Sequence, residues 1–410
     1  MARWRSFVWR ALALLPIAVS IVVPLPAIVG QNSGTNEIMF SKDVAPIVFE
    51  NCVYCHRPGE IAPFSMLTFA SVRPWAKSIK EQVLQRRMPP WFADSHYGSF
   101  VNARRLSDKD IQTIVNWVDG GSREGSPADM PAVPQLTDGW QIGTPDLVVT
   151  MTEPYKLPAT GTIPPVTLPS DYVFPEDTWV RAVEVRPGNR NVVHQALALV
   201  GNGGLTDGLH LYSPGLEAMI FRDGYGKFIP KGARINLQMH YTVMGQETTD
   251  RSSVGFKFAT KPVHSEVRTG IAVNDTFEIP SPQQSHEIFA TFPLSVNARI
   301  HAFRPDLHLR GGRTTVNLVL PDRTRKVLLS ITDWSDYWHY CYVLAKPADV
   351  PRGSYVESVT TYDNAQAIPA ADPRSSEKIH LLYFDWTEVN EKNKNDLEPI
   401  EITKFKALER

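Results

Sequence analysis

Cysteine is scarce in this chain. Three cysteines in 410 residues exclude a disulfide-stapled scaffold. Two of them, Cys52 and Cys55, share one pentapeptide, so Cys341 has no pairing partner and reads as a small buried hydrophobe. No second Cys-x-x-Cys is present to complete a four-ligand zinc site. Charge of one sign is lacking too. With 42 Lys and Arg against 43 Asp and Glu the net charge is −1, which gives no footprint for nucleic acid or an anionic membrane surface. Helical periodicity thins out beyond residue 125, where Gly and Pro punctuate short apolar runs and favour β structure.

What is present is sharper. Cys52-Val53-Tyr54-Cys55-His56 has the spacing of a c-type haem attachment site. Two thiols three positions apart suit thioethers to one porphyrin, and the adjacent imidazole suits its iron. Arg3, Arg5 and Arg10 precede an apolar run over residues 11–29 that closes on Gly30-Gln31, the pattern of a cleaved export signal over residues 1–30. An uncleaved membrane anchor is the competing reading, and Pro16, Pro24 and Pro26 weigh against a long straight helix. Either reading delivers the rest outside the cytoplasm, so a periplasmic location is expected, with membrane contact only through such an anchor.

Residues 37–125 read as a small helical unit. Asp43 to Phe49 leads into the cysteine pair, and a second helix over residues 69–86 carries Trp75, Ile79 and Val83 on one stripe. A third starts at Ser107, carries Ile111, Ile114, Val115 and Val118, and stops at Gly120-Gly121. Three helices about such a motif resemble a class I cytochrome c. That resemblance implies a sixth iron ligand, for which Met88, in a loop fixed by Pro89 and Pro90, is the candidate, with Met66 or His96 as alternatives. A proline-punctuated linker spans 126–139.

Beyond it, period-two runs such as those at residues 178–185, 233–242, 314–320 and 354–362 predict β-sandwiches over 140–260 and 261–410. From Trp140 to Asp146 onward, the chain resembles the copper type II, ascorbate-dependent monooxygenases. More closely, it is similar to bacterial proteins in which a cytochrome c precedes such a module. The resemblance rests on Arg186-Pro187-Gly188-Asn189 before Val193-His194, Leu237 to Thr242, Leu307 to Gly311, and Asp363-Asn364. It implies a multidomain chain, an all-α class I cytochrome c domain followed by two all-β jelly-roll-like sandwiches. It also implies two coppers, one held by histidines and one by a His-x-His pair with a methionine, the thioether favouring Cu(I).

Measured against that pattern, His194 and His240 match at the first copper while Gln195 replaces an imidazole. At the second, His308 matches, Asp306 replaces a histidine, and Val389 stands in the methionine position, where it cannot ligate. His210, His301 and His339 lie nearby in sequence without a family position. The aromatic run over 334–340 reads as core, and the charged run over 388–394 as a solvated loop or tail. The functional expectation is a haem c electron-transfer protein with a copper monooxygenase-like module, an oxidoreductase if the haem feeds copper. The alternative is a non-catalytic electron carrier whose sandwiches bind a ligand or partner. A redox partner protein is expected in both.

Overall fold

The computed structural model of the protein describes residues 37–134, 139–201, 208–216, 218–277, 286–307, 311–335, 338–362 and 380–400. Residues 38 onward form a single unit. Among the described residues, no helix is long and apolar enough to cross a membrane.

The chain begins with a small helical layer. A π-type turn at Phe40–Val44 runs into α1 (Ala45–Asn51), followed by α2 (Phe69–Val72), α3 (Ala76–Leu84) and α4 (Asp108–Asp119). Pro74 has no N–H to continue an α ladder, so the expected long second helix is divided by a 3₁₀ turn at Arg73–Trp75. Ser107 caps α4, its Oγ accepting from the Asp110 N–H. Phe40, Val48, Val72, Ile79, Ile114 and Trp117 close the core of this layer.

Twelve strands follow: β1 (Leu147–Thr150), β2 (Tyr155–Leu157), β3 (Val166–Val173), β4 (Thr178–Arg186), β5 (Val193–Val200), β6 (Gly208–Tyr212), β7 (Met219–Ile220), β8 (Tyr225–Ile229), β9 (Arg234–Tyr241), β10 (Thr248–Asp250), β11 (Ser253–Phe258) and β12 (Ser265–Glu266). Their two main sheets run β1-β11-β4-β8 and β3-β9-β5-β6. Eight more strands come after: β13 (Arg268–Asn274), β14 (His286–Pro293), β15 (Ala298–Asp306), β16 (Gly311–Val319), β17 (Arg325–Ile331), β18 (Tyr342–Val350), β19 (Tyr355–Tyr362) and β20 (His380–Glu388). Their sheets run β13-β20-β15-β18 and β14-β19-β16-β17. With the short strands set aside, both halves show the same wiring, first-last-third-sixth facing second-seventh-fourth-fifth. That order is a jelly roll.

The expected fold class needs correction. No separate all-α cytochrome c domain exists among the described residues. The helices are short, α4 being the longest at 12 residues, and the chain leaves them after Met88 to enter the second sandwich. Ala93 bridges Ile331 and Phe100 bridges Leu344. Trp91 and Ala93 pack in the same core as Phe303, Tyr340 and Phe384. The Asn102 side chain completes the join, donating to the Cys341 carbonyl at 2.6 Å and accepting from the Val343 N–H at 3.1 Å. The layer has a core of its own, and the stretch between Met88 and α4 is buried against the sheets.

The two sandwiches are joined in turn. Leu211 and Leu216 of the first pack into the core of the second. The charged run over 388–394 is largely an exposed loop, with Asn393 buried, and the segment around it is anchored: Arg299 donates to the carbonyls of Asn393 and Asp396 at 2.8 and 2.6 Å, and Ile400 is buried in the core of the first sandwich.

Candidate functional site

The Cys52–His56 motif follows directly on α1. The Cys52 N–H still bonds the Val48 carbonyl, and the N–H groups of Cys55 and His56 both return to the Cys52 carbonyl, at 3.2 and 2.9 Å. This tight turn brings all three side chains to one wall of a cavity of about 380 Å³, a size typical of cofactor and ligand sites. Met66 and Met88 also line it, with apolar surface from Ile61, Phe64, Ile79 and Val83. Met88 reaches it from the loop after α3, where the Arg87 N–H turns back to the Gln82 carbonyl at 2.9 Å.

His56 is oriented for ligation. Its Nδ1 lies 3.2 Å from the Phe64 carbonyl, and a carbonyl can only accept, so Nδ1 carries the proton and Nε2 keeps its lone pair. A metal-binding histidine is commonly fixed in this way by its second nitrogen. Phe64 packs 4.7 Å from the imidazole and stacks on Trp75 at 4.5 Å, bracing the ring. Burial lowers the His56 pKa, opposed in part by the carbonyl, so the imidazole is neutral.

The thiols are not activated as nucleophiles. Burial pushes Cys52 up to about 12, with Cys55 adding to the rise. Burial also raises Cys55, against an opposing pull from Arg104. None of the three cysteines, Cys341 included, forms a disulfide. His96 lies away from the cavity, its side chain largely exposed and bonded to Asp94 at 2.7 Å.

The wall behind the cysteines comes from the stretch between Met88 and α4 and from the sandwiches. Asn102, Arg104 and Trp338 line the cavity beside the motif. Gly215, at φ +80°, passes so close that a Cβ would sit 2.8 Å from Arg104 Nη1 and 2.9 Å from Cys55 Sγ, a position only glycine fills. Arg104 Nη2 donates to the Gly215 carbonyl, and Tyr54 accepts from Gln141 Nε2.

A second constellation lies on β5 and β9. Along β9, Ile235, Leu237, Met239 and Tyr241 face the core, which turns His240 to the other face. The ladder pairs Gln195 with His240 and Val193 with Tyr241, so His194 is the extra residue of a β-bulge. The bulge brings the His194 and His240 rings to 5.8 Å, with Thr242 Oγ1 at 3.1 Å from His194 Nδ1. Gln195, directly opposite His240, shares its face and is buried.

Of the other expected ligands, Asp306 is described. Asp306 ends β15 and approaches His339 at 3.7 Å. His308 lies outside the described residues, as do Leu309, Arg310, Asp363 and Asn364. Val389 follows β20 and bonds the Asn297 carbonyl through its N–H. His301 is buried against Thr387 at 2.9 Å. Among the described residues no three His, Cys, Asp or Glu side chains gather as a metal site.

Sequence reasoning missed the ionic cluster at the seam between the sandwiches. Asp385 of β20 accepts from Lys227 of β8 at 2.9 Å, from Arg304 of β15 at 2.6 Å and from Thr269 of β13 at 2.9 Å. Beside it, His210 is fully buried and brought down to about 3 by burial first, then by the cations Arg304 and Lys227. The signal was available: Lys227, Arg304 and Asp385 stand inside the largely apolar runs Tyr225–Ile229, Ala298–Asp306 and His380–Glu388.

No family model matches the chain, and no curated protein does. Solved structures give only distant likenesses. The major capsid protein P2 of bacteriophage PM2 has 10% identity and a TM-score of 0.29, over 60% of this chain and 98% of that one. The turret protein A223 of Sulfolobus turreted icosahedral virus has 11% identity and a TM-score of 0.15, over 59% and 99%. The VP2 subviral particle of infectious bursal disease virus has 11% identity and a TM-score of 0.17, over 62% and 84%. None carries a functional argument. The architecture rests on the strand order alone.

Proposed function

We propose that this is an exported, periplasmic electron-transfer protein with a covalent haem c on Cys52 and Cys55. The observation that supports it best is the convergence of Cys52, Cys55, His56 and Met88 on one largely apolar cavity, with Nδ1 of His56 committed to a carbonyl. Haem iron, when bound, supplies one-electron redox chemistry at a potential set by its axial ligands and surroundings. In this chain Cys52 and Cys55 would provide the attachment sulfurs, and His56 Nε2 and the Met88 thioether would be the groups that hold the iron. Ile79, Val83 and Phe64 exclude water. The two jelly rolls close the wall and act as a scaffold for a redox partner protein or ligand.

A second reading, a copper-dependent monooxygenase-like oxidoreductase, is favoured by one observation, the bulge that brings His194 and His240 together. Those two imidazoles, with Gln195 or water, would hold the copper; Asp306 and His308 belong to the weaker second position.

The deciding experiment counts haem and copper per chain in protein exported from cells that attach haem c and are supplied with copper. One haem per chain, lost in Cys52→Ser/Cys55→Ser, supports the electron-transfer reading; absence of haem sinks it. About one copper per chain, lost on His194→Ala or His240→Ala, supports the oxidoreductase reading. Copper at background removes it.

A further inference from the structure

Arg104 stands out on the wall of the haem cavity. It comes from the stretch between Met88 and α4, the part of the chain that has already joined the second sandwich. Its guanidinium is held from three sides. Nη2 donates to the carbonyl of Gly215, in the first sandwich. Its Cζ lies 5.7 Å from the ring centre of Tyr54, inside the cysteine motif, and 5.5 Å from that of Tyr340, buried in the second sandwich. Nη1 and Cys55 Sγ flank the same point, 2.8 and 2.9 Å from where a Gly215 side chain would begin. The cation is therefore fixed beside an attachment sulfur.

The other charges near that sulfur are arranged differently. Glu60 pairs with Arg57 at 2.9 Å and with Arg190 at 2.6 Å. Within that group Arg104 is the one that lines the cavity itself. Arginine cannot lose its proton in a protein, so the charge does not switch off with pH.

We propose that Arg104 sets the electron affinity of a haem held in this cavity, by keeping a permanent positive charge against the Cys55 edge. The proposal deepens the haem reading and rests on it. The oxidised haem carries one positive charge more than the reduced one, so a fixed cation disfavours oxidation. At an effective dielectric of about 20, a unit charge within roughly 10 Å shifts a one-electron equilibrium about tenfold or more. Because Gly215 and Tyr340 hold the guanidinium, both jelly rolls take part in setting the potential. Arg104 is a positioning residue and touches neither a substrate nor the iron.

The test uses the full chain exported with haem attached, in three variants. Haem per chain is counted from the alkaline pyridine spectrum, and the midpoint potential is measured by spectroelectrochemical titration at fixed salt. Arg104→Met is expected to keep its haem and shift the equilibrium at least tenfold toward the oxidised form, 59 mV for one electron. Arg104→Lys, which keeps the charge, is expected to stay within threefold of the parent. Arg104→His is expected to make the potential pH-dependent, higher at pH 5.5 than at pH 8, because an imidazole titrates near 6.5. A structural role alone would not produce that dependence. A haem-loaded Met variant within threefold of the parent overturns the proposal, as does a His variant no more pH-dependent than the parent. If the Met variant fails to mature, the Lys and His variants decide. If the parent itself carries no haem, the reading of the cavity falls and this proposal with it.

Discussion

Asp385 reaches across the seam between the two jelly rolls to Lys227, Oδ1 to Nζ 2.9 Å, with the carboxylate fully withdrawn from water. Burial alone would raise the Asp385 pKa, but Arg304 and Lys227 outweigh it and hold the carboxyl well below the usual carboxylate range. Removing one partner of a buried pair leaves the others uncompensated. Asp385→Ala is expected to cost about 3–5 kcal/mol, read from the urea midpoint at pH 7. A loss below about 1 kcal/mol would show that the seam does not depend on this group.

The same carboxyl and three histidines set the acid response. A depressed carboxyl contributes stability present above its unfolded value of about 4 and lost as pH falls through the folded one. Burial lowers His210 and His301 to about 3 and His380 to about 4, so each stays neutral in the fold while its unfolded form takes up a proton. Their contribution is full above about 6.5 and falls with acidification, by at most about 1.4 kcal/mol per pH unit for each. Stability is therefore expected to decline from pH 7 to pH 4.5. His380→Gln should flatten that decline; an unchanged slope in urea titrations would refute its role.

Among the cavity methionines, Met88→Leu is expected to alter the visible spectrum and lower the midpoint potential while haem stays attached, since a thioether ligand favours the reduced form. Met66→Leu should change neither. The reverse result would move the ligand to Met66, whose N–H bonds the His56 carbonyl.

Gly215→Ala is expected to impair maturation. The added methyl would meet Cys55 Sγ and Arg104 Nη1 at under 3 Å, on a backbone with φ +80° that side chains disfavour. Haem per chain and the melting temperature should both fall. Parent-like values would show that the wall is looser than its geometry implies.

Much of this was legible in the sequence, though unevenly. That Cys52, Cys55 and His56 share one cavity could be read because five consecutive residues and one turn place them. Alternation along Arg234–Tyr241 likewise displayed its inner and outer faces. What was not legible depends on long-range packing. Helical spacing in residues 37–125 suggested an independent domain, yet spacing says nothing of where Trp91 and Phe100 bury their rings, and they bury them against Tyr342. The bulge at His194 is set by strand register, which the sequence of β5 alone does not specify. Lys227, Arg304 and Asp385 become one group only when three distant strands meet.

The join between Asn102 and Cys341, 239 residues apart, bears on timing. Synthesis proceeds from the N-terminus, so Cys52 and Cys55 emerge long before Tyr340 and Tyr342. During that interval the motif lacks the parts of its wall that Gly215 and Trp338 supply. Asn102 and Arg104 follow early and Trp338 is the last of the lining to be made, so on the haem reading attachment precedes closure of the cavity.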